Sequence, residues 1–102
     1  MQTQHHTDGL AVSAVWEAKA GQEDAVADIL SRLGTAARTE PGVKLFLVHR
    51  SLSNPAHFLF YELFEDEAAF AAHQQTEHFK SLVLEQGLPR LAKRERTQYA
   101  LL

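Results

Sequence analysis

The chain has 102 residues, of which 45% are hydrophobic and 23% are charged, a balance typical of one globular domain and not of a disordered or fibrous protein. A formal net charge of -3 gives no general attraction to nucleic acid, and the lack of cysteine excludes disulfides, thiolate metal sites and a cysteine nucleophile. No apolar run is long enough to span a bilayer and the polar start has no signal-peptide core, so we expect a cytoplasmic protein that does not enter the membrane.

The first residues are polar and carry no periodic pattern. We predict a flexible tail over residues 1–9 and a single domain over residues 10–102. His5 and His6 fall in this tail, where a frayed end is a better interpretation than a metal site.

The remaining chain divides into seven predicted elements. Segments that alternate in polarity or are rich in β-branched and aromatic residues are predicted strands: 10–18, 43–52, 57–64 and 94–102. Segments with apolar residues at helical spacing are predicted helices: 22–39, 65–75 and 77–86. Pro41 ends the first helix because it disfavours helical backbone at Glu40, and Asp66 and Thr76 are the expected N-caps of the later helices. This order predicts an α+β ferredoxin-like split β-α-β sandwich with an antiparallel sheet.

The two strands of the predicted hairpin are apolar on both faces. In the second strand Val43, Leu45 and Leu47 alternate with Phe46 and Val48, and the third strand alternates phenylalanine with leucine and tyrosine. The helices of this fold cover only one face of the sheet, whereas strands apolar on both sides are buried on both sides. We therefore predict a homodimer in which two sheets pack face to face.

Two histidines lie in the segment "AHQQTEHF". His73 and His78 are five residues apart, so on one continuous helix they would diverge by about 140°. Metal pairs on a helix have a spacing of three or four residues, and no motif supplies a third ligand, since Glu62 is distant in sequence. The sequence therefore predicts no metal site. The two imidazoles would converge only if the helix breaks near Thr76.

Other kinds of chemistry have little support. There is no serine-nucleophile motif and no glycine-rich phosphate loop, and the basic segment 90–96 is interpreted as a solvated connection, not as a nucleic-acid site. Acid–base chemistry in a pocket remains, with these candidates: His49, His57, Glu62, His73 and His78. Glu62 shares a strand face with phenylalanines, where an unpaired carboxylate is costly. It is either ion-paired with Arg50 across the hairpin or part of a pocket.

Several motifs occur in a characteristic order: E-P-G before the second strand, the N-P turn, Y-E-L-F-E-D-E, and A-H-x-x-T-x-H-F. With "VWEAKAGQEDAV" near the start and "YALL" at the end, they make residues 10–102 resemble the antibiotic biosynthesis monooxygenase family of dimeric α+β barrels. Members that this chain resembles include small quinol or polyketide oxygenases that use O₂ without flavin, haem or metal.

The resemblance implies a homodimeric monooxygenase that needs no cofactor and acts with O₂ on a small aromatic, quinol or polyketide-like substrate. A deprotonated phenol can pass an electron to O₂, and histidine suits the role of proton acceptor because its pKa is near 6.5. By this resemblance His73 is the first candidate for the base or for a substrate hydrogen bond, His78 is the second, and Glu62 orients one of them. The implied walls of the substrate pocket are Trp16, Phe60, Phe64 and Phe79.

The chain also departs from relatives. Phe64 stands where many members have tryptophan. Ala14, His73 and Val83 stand where the haem-degrading branch has an asparagine, a tryptophan and a haem-ligating histidine, so haem degradation is not expected. Two alternatives stay open: an isomerase or lyase that acts on a small carbonyl compound, and a non-catalytic dimeric ligand-binding protein.

Overall fold

The fold is known from a computed structural model that describes residues 9–102. Residues 1–8, with His5 and His6, lie outside the described part, so the expectations for that tail stay predictions. Eight elements follow in chain order: β1 (Leu10–Ala18), α1 (Glu23–Ala37), β2 (Val43–Arg50), β3 (His57–Phe64), α2 (Glu67–Gln74), a π-helix (Phe79–Gly87), a 3₁₀ turn (Leu88–Arg90) and β4 (Leu91–Ala100).

The strands form one antiparallel sheet in the order β2-β3-β1-β4. The helices pack on one face of this sheet, which is the predicted α+β ferredoxin-like arrangement. Over the described residues, no helix combines the length and apolar character that crossing a membrane requires.

The predicted bounds hold best in the central strands. β1 and β3 match the predicted residues, whereas β4 begins at Leu91 and not at residue 94. The first residues of β4 carry no alternating pattern. They belong to the strand because β4 pairs with β1 along its length, from Leu91 opposite Ala18 to Ala100 opposite Leu10. The third predicted helix is a π-helix, whose wider turn no spacing rule anticipated.

The sheet carries apolar residues on both of its faces. Phe46, Phe60 and Ala14 lie on the face under the helices, while Leu47 and Tyr61 lie on the outer face. The predicted parity is wrong for Val43, which was grouped with Leu45 and Leu47. The register shifts between Val43 and Leu45, so Val43 pairs with Phe64 and packs against the core under the helices.

The core lies between α1, the π-helix and the sheet. α1 contributes one buried stripe, as its spacing predicts: Val26, Ile29, Leu30, Leu33, Gly34 and Ala37. Trp16 is almost fully buried and meets Phe60 edge to face, with ring centres 5.2 Å apart. Gly87 of the π-helix lies against the Trp16 ring, where a Cβ would come within 2.9 Å of an indole carbon. The helices are therefore seated closely on the residues that also line the site.

Candidate active site

A small cavity lies between the helices and the sheet. It has aromatic, aliphatic and charged walls: Ala14, Trp16, Leu33, Phe60, Glu62, Phe70, His73, Phe79, Val83, Arg94 and Arg96. Its free volume of about 10 Å³ is close to what one water molecule needs. A larger ligand therefore enters only if side chains at the rim move.

His73 is the polar centre of this cavity. It lies in the last turn of α2, on the same buried side as Phe70, and only 2% of its surface is exposed. The rings of Phe46, Phe64 and Phe79 surround the imidazole at centre-to-centre distances of 5.6, 5.4 and 5.3 Å. These contacts fix the plane of the imidazole ring.

Glu40 forms a hydrogen bond with the His73 imidazole on the side away from the cavity. This residue follows α1 in the E-P-G turn, and its Oε2 lies 2.8 Å from Nδ1 of His73 and 2.6 Å from Nε2 of His78. A carboxylate oxygen only accepts hydrogen bonds, so both ring nitrogens that face it donate. In His73 this assigns the proton to Nδ1 and leaves the lone pair of Nε2 directed at the cavity.

The corner between α2 and the π-helix brings the two histidines together. Thr76 Oγ1 donates to the carbonyl of His73 at 2.7 Å and accepts from the backbone N–H of Phe79 at 3.2 Å. The break expected at Thr76 is therefore present, and the ring centres of His73 and His78 are 6.3 Å apart. His78 is partly exposed and bonds to Glu40, but it is not part of the cavity wall.

Glu62 faces the other ring nitrogen of His73. Its Oε1 is 3.8 Å from Nε2 of His73, which is beyond hydrogen-bonding distance. Burial raises the pKa of Glu62 to about 8; the positive charges of Arg96 and Arg94 oppose this shift and the charge of Glu40 adds to it. Glu62 is therefore a neutral acid at pH 7.

The alternative role for Glu62, an ion pair with Arg50, is wrong. In the sheet register Arg50 pairs with Phe58, which is near the opposite end of β3 from Glu62. Its guanidinium binds Asp24 of α1 at 3.0 Å and the carbonyl of Pro55 at 2.8 Å.

The environment of His73 favours the neutral form of its imidazole. Burial lowers the pKa of His73, and the hydrogen bond and negative charge of Glu40 act in the opposite direction. A carboxylate behind a histidine fixes the tautomer and stabilises the imidazolium once a proton arrives, as in hydrolase triads. The pair can therefore take a proton from a group placed in the cavity.

The family model for antibiotic biosynthesis monooxygenases matches residues 9–83. The chain belongs to the antibiotic biosynthesis monooxygenase family. The matched part ends within the π-helix and before β4. It therefore includes Glu40, Glu62, His73 and His78 but not Arg94 or Arg96.

Solved structures agree with this family and fold. PA3566 from Pseudomonas aeruginosa is 26% identical with a TM-score of 0.88, over 96% of this chain and 98% of that one. A crystal structure named antibiotic biosynthesis monooxygenase is 28% identical with a TM-score of 0.79, over 91% and 96% of the two chains. A Nitrosomonas europaea protein, 21% identical over 100% and 96%, shares the fold with a TM-score of 0.87. Among proteins with curated descriptions, none matches this chain significantly.

In this antibiotic biosynthesis monooxygenase chain, the residues expected in the site fall into two groups. Five of them lie in the cavity wall: Trp16, Phe60, Glu62, His73 and Phe79. Two lie behind it: His78 bonds to Glu40, and Phe64 packs on His73 and Phe70. His49 and His57 are exposed on β2 and β3, outside this wall.

Three residues of the site were missed by sequence reasoning. The sequence pattern indicates only a helix end at Glu40. It predicts a solvated basic segment over 90–96 and a strand over 94–102, with no role in the site for Arg94 or Arg96, whereas both arginines line the cavity. A signal was available for the arginines, because their spacing of two places them on one face of a strand. Nothing local distinguished Glu40, which is 33 residues from His73.

Glu40 also supplies the third potential metal ligand that was not expected. One ligand atom each of Glu40, His73 and His78 lies within 4.8 Å of the others. The oxygen-to-nitrogen distances of 2.8 and 2.6 Å are hydrogen-bond lengths, however. Ligands around a tetrahedral zinc ion would be roughly 3.3 Å apart for metal–ligand bonds of about 2.0–2.1 Å. The arrangement described here is a hydrogen-bonded one.

Proposed function

We propose that the chain is a cofactor-independent monooxygenase of a small aromatic, quinol or polyketide-like substrate. One observation carries the proposal: Nε2 of His73 presents a lone pair to an aromatic cavity while Nδ1 is bonded to the Glu40 carboxylate. His73 is the base, Glu40 is the positioning residue behind it, and His78 supports Glu40 through the 2.6 Å hydrogen bond.

The chemistry balances without an added reductant. A hydroquinone and O₂ give a hydroxyquinone and water, so one oxygen atom enters the ring, the other leaves as water, and the substrate supplies all four electrons. His73 accepts the phenolic proton, which makes the ring electron-rich enough to reduce O₂, and later returns that proton to the departing oxygen. The cavity contributes aromatic walls from Trp16, Phe60 and Phe79 and excludes water.

We further propose that a second copy of the chain covers the outer face of the sheet. Leu45, Leu47 and Leu59 lie on this face with 43%, 43% and 44% of their surface exposed, and Tyr99 of β4 is 51% exposed. Tyr61 lies between them in the register. A contiguous apolar surface of this kind is a common protein–protein interface, and an identical surface on a second copy fits it by symmetry.

Oxygen consumption tests the oxygenase proposal directly. A panel of hydroquinones and phenols is incubated with wild-type protein, His73→Gln and His78→Gln, and O₂ uptake is followed with an electrode. We expect His73→Gln to lose about a hundredfold or more, as removal of a general base does, and His78→Gln to lose about tenfold or less because Glu40 still holds Nδ1 of His73.

Two results would contradict the proposal. If no panel member consumes O₂ faster with protein than without, the oxygenase function is wrong. If O₂ uptake survives in His73→Gln, another group is the base. Circular dichroism of both variants separates a loss of chemistry from a loss of fold.

A further inference from the structure

Two arginines form the rim of the cavity on the side of β4. Arg94 lies opposite Trp16 and Arg96 lies opposite Ala14 in the ladder between β4 and β1. Since Trp16 and Ala14 face the helices, both guanidinium groups project over the same face of the sheet, and both line the cavity.

The positive charges of Arg94 and Arg96 have no ion-pair partner in the described part of the chain. Within residues 9–102, no carboxylate forms an ion pair with either arginine. The acid in the cavity wall is Glu62, whose pKa of about 8 keeps it mostly protonated at pH 7, and the Glu40 carboxylate is engaged with two histidines. Arg96 lies over the ring of Phe70, with the guanidinium carbon 5.4 Å from the ring centre. Two adjacent positive charges therefore border an otherwise neutral, aromatic cavity.

The two guanidinium groups lie close enough for each charge to act on the other. Partial burial, followed by the charge of Arg96, lowers the pKa of Arg94. An anion between the two guanidinium groups would relieve this repulsion, and a planar carboxylate fits an arginine fork with two parallel hydrogen bonds.

We propose that the site binds small aromatic carboxylates, with the ring between Trp16, Phe60 and Phe79 and the carboxylate held by Arg94 and Arg96. This inference rests on the proposed substrate pocket and narrows its substrate to an acid. Both arginines are long side chains at exposed positions, and their place in the cavity wall accounts for the small free volume. In this proposal they swing outward to admit the ring and then close on its carboxylate.

A binding experiment tests this without turnover. The chain has one tryptophan, so its indole N–H gives a single nitrogen–proton NMR signal that reports on the cavity wall. Wild-type protein is titrated at pH 7 with benzoate, with methyl benzoate and with acetate, none of which is a quinol. We expect benzoate to shift the Trp16 signal with at least about tenfold higher affinity than either the neutral ester or the ring-free acetate.

Variants assign the preference to the arginines. Arg94→Gln with Arg96→Gln should bind benzoate and methyl benzoate equally, while its affinity for the ester stays that of wild type, which also shows that the pocket is folded. Lys93→Gln is the matched control, because Lys93 is a cation of the same strand that lies opposite Glu17 on the outer face. It should keep the benzoate preference.

Each other outcome overturns the inference. Equal binding of benzoate and its ester to wild type, a preference that persists in the double variant, or acetate that binds as tightly as benzoate would each do so. The proposed function fails separately: a benzoate preference without O₂ uptake on any hydroquinone, with or without a carboxylate, leaves the binding site and removes the oxygenase. O₂ uptake without a benzoate preference would keep the oxygenase function and overturn the carboxylate site.

Discussion

Glu40 Oε2 lies 2.8 Å from Nδ1 of His73, so a turn after the first helix orients a side chain of the second. The two residues are far apart in sequence, and the contact exists because the turn after α1 lies against α2, where Gly42 meets Ala69. The hydrogen bond gives this buried histidine a defined tautomer, with the proton on Nδ1, which the proposed role as a base requires.

This contact predicts the direction of a pKa change. In Glu40→Gln the pKa of His73 should fall below its wild-type value, because the negative charge is lost and the hydrogen bond to a neutral amide oxygen is weaker, while burial remains. NMR titration of the His73 ring carbons measures the change. Glu77→Gln is the control, since Glu77 is exposed beside His78 and lies outside the site. A pKa of His73 that is unchanged or higher in Glu40→Gln would contradict the assigned contact.

Glu62 predicts how stability depends on pH. Its pKa is about 8 in the folded protein and near 4.5 in the unfolded chain, so between these values the folded state holds more protons. The free energy of unfolding should therefore fall as pH rises, by about 1.4 kcal/mol per pH unit from this group. Replacement by glutamine removes the effect, so Glu62→Gln should gain stability relative to wild type between pH 5 and pH 8 in urea denaturation.

His73 contributes in the opposite direction, because its lowered pKa costs stability as pH falls below 6.5. It is present in both proteins, so the difference between wild type and Glu62→Gln isolates Glu62. The exposed Glu65→Gln should show no such trend. A flat difference across this range would mean that Glu62 is ionised in the folded protein.

Gly87 predicts a steric cost next to the site. A Cβ there would lie 2.9 Å from Cη2 of Trp16 and 3.0 Å from the carbonyl of Leu82, so Gly87→Ala should destabilise the fold by about 1–3 kcal/mol and change Trp16 fluorescence. Gly34→Ala is the contrasting variant. Its nearest neighbour is the flexible end of Arg38 at 3.1 Å, so it should be neutral or stabilising by up to about 1 kcal/mol in urea denaturation. Equal effects would refute the packing described for Gly87.

The outer sheet face predicts the association state. Wild type should sediment as a dimer at micromolar concentration, and Leu47→Arg with Leu59→Arg should sediment as a monomer, since buried charge without a partner is costly. Leu84→Arg is the control, because Leu84 is equally exposed, at 45%, but lies on the π-helix. A wild-type mass of one chain, or a control that also dissociates, would contradict the proposed interface.

The local sequence pattern predicts most of the strands and helices and the apolar character of both sheet faces. The alternation in residues 10–18 and 57–64 is strong, and the caps at Asp66 and Thr76 are formed. The site depended on contacts that pattern does not encode. Glu40 reaches His73 only after α1 packs, and Arg94 reaches the cavity only because β4 pairs with β1 so that Arg94 lies opposite Trp16.

The three phenylalanine rings around His73 have a consequence for how a proton travels. Nδ1 is bonded to Glu40 and the three rings pack around the imidazole, so Nε2 stays directed at the cavity. In the proposed reaction the cavity is then both entrance and exit for that proton. The proton on Nε2 returns either to an oxygen atom of the product or, without O₂, to the substrate anion itself, so in the absence of O₂ the substrate and the base only exchange this proton back and forth.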